Sequence, residues 1–185
     1  IWFYFFPELA FFGDLELAFP PPMTTASLAG TMGLEDWYVS SVAVTLSATG
    51  GNKGINRTVC RVDGGDWENY TEPIVVLGDG SHLVEFYSVD NMSNEEDLRN
   101  ISFKIDTTDP VSSVSVSGTP GSDGWYVSDV DVSLEVDDGS GSGISLTKFR
   151  VDGGAWQDYS GPVALTSGGT HTIAYYSVDV AGNAE

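Results

Sequence analysis

The sequence predicts an all-β protein made of two tandem antiparallel β-sandwiches, with an extra strand at the N-terminus and no last strand in the second sandwich. Three observations lead to this fold class. Most of the chain consists of two copies of one sequence, apolar and polar residues alternate with a period of two, and short turns rich in Gly and Asp separate the alternating stretches.

The internal repeat covers residues 22–185. Residues 33–40 (Gly-Leu-Glu-Asp-Trp-Tyr-Val-Ser) return 88 residues later as Gly-Ser-Asp-Gly-Trp-Tyr-Val-Ser, and after a one-residue insertion the spacing becomes 89. At this second spacing Arg-Val-Asp-Gly-Gly-x-Trp occurs twice, and His82 corresponds to His171. Such agreement indicates duplication of one domain. We interpret the paired histidines as framework residues, and the recurring tryptophans as core residues rather than a sugar-binding face.

Each copy shows the pattern of half-buried strands. Val42, Val44 and Leu46 alternate with small or polar residues, and the second copy repeats this alternation. The Asp-Gly pairs at 63–64 and 152–153 predict hairpin turns, because both residue types tolerate positive φ. Cys60, the one cysteine, aligns with Phe149 and is predicted to be a buried apolar residue. A linker at 106–110 separates the first repeat (22–105) from the second repeat (111–185).

The two repeats end differently. The first continues through Ile101, Phe103 and Ile105, whose alternation with polar residues predicts a closing strand. The second stops at Glu185, which aligns with Glu96 of the first. We therefore expect the second repeat to lack its closing strand and to be open.

The N-terminal segment, residues 1–21, lies outside both repeats, and we expect its start to be a processed or truncated end. Its apolar residues at alternate positions from 15 to 19 precede three prolines, just as the closing strand of the first repeat precedes the linker. The chain is then either a piece of a longer array, or a subunit whose N-terminal strand enters the open second repeat of a neighbour. We favour the subunit, because an aromatic-rich opening is a hazard in water. The predicted subunit contacts are Phe11, Phe12, Leu15, Leu17 and Phe19.

Three motifs carry a resemblance to a known family. Trp-Tyr-Val-Ser, Val-Asp-Gly-Gly-x-Trp-x-x-Tyr-x-x-Pro and Tyr-Ser-Val-Asp-x-Ala-Gly-Asn resemble the immunoglobulin-like repeats strung along large bacterial and archaeal surface proteins. The resemblance covers residues 22–185 and departs at residues 91–94, where the family shows Ala-Gly-Asn. It implies immunoglobulin-like sandwiches, a location on the cell surface, and a role as spacer, adhesin, surface-layer or filament repeat.

The function expected from these observations is that of a structural subunit in an extracellular filament or pilus-like fibre, joined head to tail by donated strands. Two alternatives stay open: spacer repeats of a large adhesin or surface-layer protein, and an accessory domain of a secreted carbohydrate-active enzyme. No catalytic function is expected, because no nucleophile stands beside a base and no Gly-rich loop opens a helix.

Charge limits the partners. Seven Lys and Arg face 27 Asp and Glu, for a net charge of −20, which repels nucleic acid and anionic lipid. The apolar opening is interrupted by Pro7 and Glu8, so no membrane span is expected there. The partners predicted by the sequence are further copies of the same chain.

Two kinds of binding or modification site are predicted. No cofactor is expected except calcium, for which Asp137, Asp138 and Asp179 are weak candidates in oxygen-rich turns. Four Asn-x-Ser/Thr sequons, all in the first repeat, predict a glycoprotein modified at Asn56, Asn69, Asn91 and Asn100.

Overall fold

A computed structural model describes residues 20–51 and 53–185. All regular structure within these residues is β, which confirms the predicted class, and nothing in them forms a helix of the length and hydrophobicity needed to cross a bilayer. Five residues of the predicted subunit contact lie outside the described residues: Phe11, Phe12, Leu15, Leu17 and Phe19.

The described residues of the first repeat form eight strands: β1 (Pro22–Ala29), β2 (Trp37–Tyr38), β3 (Val42–Gly50), β4 (Ile55–Val62), β5 (Glu68–Asn69), β6 (Ile74–Val76), β7 (Gly80–Asp90) and β8 (Arg99–Ile105). The second repeat forms six: β9 (Val111–Ser117), β10 (Val130–Asp137), β11 (Ile144–Val151), β12 (Gln157–Asp158), β13 (Val163–Leu165) and β14 (Ile173–Asp179).

Each repeat contains two sheets. In the first repeat the strand orders are β1-β3-β6 and β2-β8-β7-β4-β5, antiparallel except where β2 runs parallel to β8. In the second they are β9-β10-β13 and β14-β11-β12, which correspond to β1-β3-β6 and β7-β4-β5. The β4–β7 and β11–β14 pairs share a register shift at equivalent positions, so the duplication has kept a β-bulge. Within the described residues, the second repeat has no counterpart of β8.

The core of the first repeat draws side chains from both of its sheets. Alternate residues of β3 point inward, as predicted, and Ile105 of β8 is fully buried opposite them. Burial, with a smaller contribution from Glu68, raises the pKa of the Cys60 thiol, so the cysteine occupies the apolar site expected of it. The buried cluster consists of Val42, Val44, Leu46, Cys60, Val76, Val84, Phe86, Phe103 and Ile105.

The predicted hairpin turns adopt the backbone that their residues favour. Asp63 and Gly64 have φ values of 51° and 72°, and Asp152 and Gly153 have the same pair of values. Only Gly and short polar residues reach this left-handed region easily, so the Asp-Gly sequence fixes both turns.

The paired tryptophans after these turns lie on the surface. Trp67 and Trp156 are each 41% exposed. The Arg61 guanidinium stands 4.7 Å from the centre of the Trp67 ring, and the Tyr87 ring meets that indole edge-on at 5.3 Å. Arg150 repeats the stacking on Trp156 at 4.6 Å. The prediction that these residues are core is therefore wrong, since their apolar faces are covered by the arginine and tyrosine side chains beside them.

The junction between the repeats is held by hydrogen bonds. Thr107 donates to Asp79 Oδ1 from its backbone N (2.8 Å) and from Oγ1 (2.9 Å), and Thr108 Oγ1 donates to Asp79 Oδ2 (2.5 Å). Across the junction, Leu34 N donates to Ala181 O at 2.8 Å. The segment predicted as a linker therefore has a defined conformation.

Replacement of Phe103 by Ala tests the contribution of β8. Phe103 is 7% exposed, and we expect the free energy of unfolding to fall by about 3–5 kcal/mol, because the change leaves a cavity between the sheets. Urea denaturation followed by tryptophan fluorescence measures the change. Leu77→Ala is the control, since Leu77 is 71% exposed and its loss costs little. Equal denaturation midpoints for wild type and Phe103→Ala would contradict this account of the core.

Candidate functional site

An open groove of about 890 Å³ runs along the second repeat. It lies between β9, β10 and β13 on one side and the start of β14 on the other, with residues 125–127 at one wall. Polar residues, including Asp123, Asp129 and His171, line part of it. Apolar side chains line the rest: Val114, Val116, Trp125, Tyr126, Val127, Val130, Val132, Leu165 and Ile173.

The equivalent residues of the first repeat are covered. Tyr126 is 41% exposed, whereas its counterpart Tyr38 is half-buried and meets the Phe103 ring edge-on at 6.2 Å. Ile173 is half-buried, whereas its counterpart Val84 is fully buried. The groove in the second repeat thus corresponds to the space that Phe103 and the rest of β8 fill in the first repeat.

β14 is shorter than its counterpart β7, and the part that it lacks is the part that pairs with β8 in the first repeat. In the first repeat β4 pairs with β7 only from Val84 onward, so residues 80–83 of β7 pair with β8 alone. The corresponding residues 169–172 are not part of β14, which begins at Ile173. A strand added here would extend β14 and satisfy the backbone groups on its outer edge, which have no strand partner within the described residues.

A second feature is an acidic cluster at the junction of the repeats. Asp106, Asp138 and Asp179 each present a carboxylate oxygen, and these oxygens lie within 4.8 Å of one another. Asp106 follows β8, Asp138 follows β10 and Asp179 ends β14, so three separate elements build the cluster. Their exposures are 0%, 8% and 1%.

Backbone groups position the three carboxylates. Asp106 Oδ2 accepts a hydrogen bond from Ser142 N (2.6 Å), and Asp138 Oδ2 accepts one from Gly143 N (2.6 Å). Asp179 Oδ1 accepts from the N atoms of Gly182 (2.6 Å) and Asn183 (2.8 Å). Desolvation raises the pKa of Asp138 and is opposed by the Gly143 hydrogen bond, while the nearby charges of Asp106, Asp179 and Asp79 raise it further.

The sequence located this cluster in part. Asp138 and Asp179 come together, whereas Asp137 is exposed outside the cluster and accepts a hydrogen bond from Gly139 N (2.9 Å). Asp106 was missed, because it was assigned to the linker. The available signal was an acidic residue directly after the closing strand, at the start of a proline-bearing junction.

Both ring nitrogens of each histidine are hydrogen-bonded, and Nε2 of His171 also lies 3.3 Å from Ser167 Oγ. His82 Nδ1 bonds Asp63 Oδ2 at 2.8 Å and its Nε2 bonds Gly78 O at 3.0 Å. His171 repeats this with Asp152 (2.8 Å) and Ser167 O (3.0 Å). Both ring nitrogens thus face oxygen acceptors, an arrangement that favours the doubly protonated ring.

The four sequon asparagines all lie at the surface. Asn56 is in β4, Asn69 in β5, Asn91 just after β7 and Asn100 in β8, and each is exposed. The Nδ2 of Asn91, the atom that would carry a sugar, donates to Lys53 O at 2.7 Å. Glycosylation stays a prediction.

Comparison with known proteins gives a similarity to solved structures alone. No sequence-family profile matches the chain, and no curated protein is similar to it in sequence. Twelve solved chains match, among them the fibronectin(III)-like modules of Clostridium thermocellum CbhA, at 14% identity and a TM-score of 0.33, covering 86% of this chain and 88% of the other. A similarity this low carries no inference about activity or about the arrangement of the sheets.

The histidine pairs predict a pH dependence of stability. Burial lowers the pKa of His82, but its hydrogen bonds to Asp63 and Gly78 raise the pKa above the ordinary value, and the hydrogen bond to Asp152 raises the pKa of His171. A raised folded pKa stabilises the protein fully below the unfolded value of about 6.5, and this contribution is lost as pH rises through the folded pKa. The melting temperature should therefore fall as the pH rises above about 6.5, and fall less in the double variant His82→Gln/His171→Gln. Identical pH profiles for the variant and wild type would contradict the assignment.

The sequons are tested by peptide mass spectrometry of native protein. We expect glycan on Asn56, Asn69, Asn91 and Asn100, and none on Asn183, which is outside any sequon. Four unmodified sequons would refute the prediction.

Proposed function

We propose that the chain is a non-catalytic, extracellular structural subunit built from two tandem immunoglobulin-like β-sandwiches, and that copies join head to tail by strand donation. Residues 15–19 of one copy would enter the groove of the second repeat in the next. Because this contact uses different surfaces at its two ends, it does not close on itself and produces a fibre.

The observation that carries the proposal is the groove. In the second repeat it occupies the position that Phe103 and Ile105 fill in the first repeat. It exposes residues whose counterparts in the first repeat are covered. An apolar groove beside a strand edge is an aggregation hazard unless a strand of suitable pattern fills it. Residues 15–19 have that pattern: Leu, Leu and Phe alternate with Glu and Ala.

The pairing of β7 with β8 supplies the expected register. Ile105 pairs with Gly80, Phe103 with His82 and Ile101 with Val84. The stretch Leu15-Glu-Leu-Ala-Phe19 aligns with Ile101-Ser-Phe-Lys-Ile105. The first is followed by three prolines at 20–22, and the second is followed by the linker that ends at Pro110. Transferred to the second repeat, the expected pairs are Phe19 with Gly169, Leu17 with His171 and Leu15 with Ile173.

Apolar burial and a new strand ladder are the two sources of energy for the contact. Burial of each of the three apolar side chains is worth about 1.5–3 kcal/mol, before any hydrogen bonds of the new ladder. The ladder adds pairing for residues 169–172 and for the outer edge of β14. These gains must exceed the entropy lost when the donor segment is ordered.

One alternative has support of its own. If the chain is a spacer from a long array, the polypeptide that follows the second repeat would fill the groove. The hydrogen-bonded junction between the two repeats is the kind of rigid connection that such an array would use. The mass of the native polypeptide separates the two: a value near 19.7 kDa plus sugars fits the subunit, and a much larger one fits the spacer.

Leu17→Asp is expected to abolish assembly, because it would bury a carboxylate opposite His171, whose two ring nitrogens are already engaged by Asp152 and Ser167. The matched control is Ala18→Asp, which adds the same charge on the side that faces solvent and should leave assembly intact. Sedimentation velocity and negative-stain microscopy measure the outcome. Filaments that persist with Leu17→Asp, or after removal of residues 1–19, would refute strand donation.

The register is tested by cysteine pairs. Ser81 pairs with Lys104 in the first repeat, so Ala18→Cys should lie opposite Thr170→Cys of the neighbouring copy and form an intermolecular disulfide under oxidation. Ala18→Cys with Thr172→Cys is the control, because diagonal residues of a ladder lie about 7–8 Å apart, too far for a disulfide. Cross-linked ladders of the control pair alone would contradict the proposed register.

A further inference from the structure

We propose that Asp106, Asp138 and Asp179 form a binding site for one divalent cation, calcium by preference, at the junction between the two repeats. The site would fix one repeat against the other inside a single chain. It is independent of strand donation, which concerns contacts between chains.

The burial of three like charges is the first observation. All three carboxylates are at least nine-tenths buried, and none takes part in an ion pair with a cationic side chain of the described residues. Buried carboxylates without a counter-charge are strongly unfavourable, and their mutual repulsion adds to the cost of desolvation. A divalent cation supplies the missing positive charge.

An unpartnered oxygen is the second, independent observation. Asp138 Oδ2 accepts the Gly143 hydrogen bond, but Asp138 Oδ1 is inaccessible to solvent and has no hydrogen-bond partner. No other side-chain nitrogen or oxygen in the described residues is both this deeply buried and without a hydrogen-bond partner. Buried polar atoms are nearly always satisfied, so an oxygen left bare beside two other carboxylates indicates a missing ligand.

The loop between β10 and β11 is shaped to enclose the site. This loop is one residue longer than its counterpart in the first repeat. A Cβ on Gly141 would lie 2.7 Å from Asp138 Oδ2 and 2.8 Å from both carboxylate oxygens of Asp106. Glycine therefore lets the backbone approach the carboxylates more closely than any other residue.

The donor set selects the class of cation. All the charged donors are carboxylate oxygens, which suit a hard ion such as calcium or magnesium rather than a transition metal. Oxygens bound to calcium at about 2.3–2.6 Å lie no more than about 5 Å apart, and the three oxygens fall within 4.8 Å of one another. The flexible coordination of calcium also tolerates an irregular cage better than magnesium does.

The duplication predicts one such site per chain. Asp179 has a counterpart in Asp90, but Gly50 aligns with Asp138, and the segment that leads into the first repeat begins with Pro20 where Asp106 follows β8. The first repeat therefore retains one of the three acids. A junction between subunits would be free of the site, and the junction inside the chain would carry it.

Calcium titration of the full chain is the experiment. We expect calorimetry to find one site per chain, and the melting temperature to be several degrees higher in CaCl2 than in EDTA at equal ionic strength, because a ligand that binds only the folded state stabilises it. Asp138→Asn should weaken calcium binding at least tenfold. It keeps an acceptor for Gly143 N while replacing the unpartnered charged oxygen.

Matched variants keep the test specific. Asp137→Asn makes the same change of charge one residue away, at an exposed position, and should bind calcium like wild type. In EDTA, Asp138→Asn should melt at or above the wild-type temperature, because one repelling charge is gone, and in calcium it should melt below wild type. Asp106→Asn serves if Asp138→Asn does not fold. Equal wild-type melting temperatures in EDTA and CaCl2, or equal loss of binding in Asp137→Asn and Asp138→Asn, would overturn the site.

Discussion

The pairing of β8 with β7 is the interaction on which the first repeat depends. It gives residues 80–83 their ladder, because β4 does not extend that far along β7. It places Phe103 and Ile105 between the two sheets, where they meet β3 and the ring of Tyr38. Asp106 directly follows the same strand, which so delivers a carboxylate to the junction. Edge pairing, core filling and the connection to the next repeat therefore all rely on one seven-residue strand.

The second repeat shows what the same sequence does without that strand. Trp125 and Tyr126 keep their positions in the motif, but they are 57% and 41% exposed, so the prediction that Trp125 is a core residue is wrong as well. The strand that corresponds to β7 is shortened at the end where β8 would pair. The exposed side chains of this groove thus lie where β8 covers their counterparts in the first repeat. A donated strand is the occupant that we propose for this groove.

Comparison of the two copies distinguishes residues that have the same role in both repeats from residues that occur only at the junction. Asp90 and Asp179 both accept hydrogen bonds from the turn that follows them, through Asn94 and Asn183 respectively, so this aspartate has a structural role in each repeat. Asp138 has no acidic counterpart, and its loop carries the inserted residue. The acidic residue and the loop insertion that distinguish the second copy at this point therefore both lie where the two repeats meet.

The sequence by itself determined the all-β class, the strands and the turns. Period-two alternation is a local property of a half-buried strand, and Asp63-Gly64 forms its turn because of what those two residues allow their own backbone to do. The tertiary structure decided what those elements meet. Trp67 was predicted to be a core residue but lies at the surface, where the Arg61 guanidinium covers one face of its ring. Asp106 was assigned to a linker, and its approach to Asp138 and Asp179 depends on how two repeats pack. Burial and proximity between residues distant in sequence are set by neighbours that no local pattern specifies.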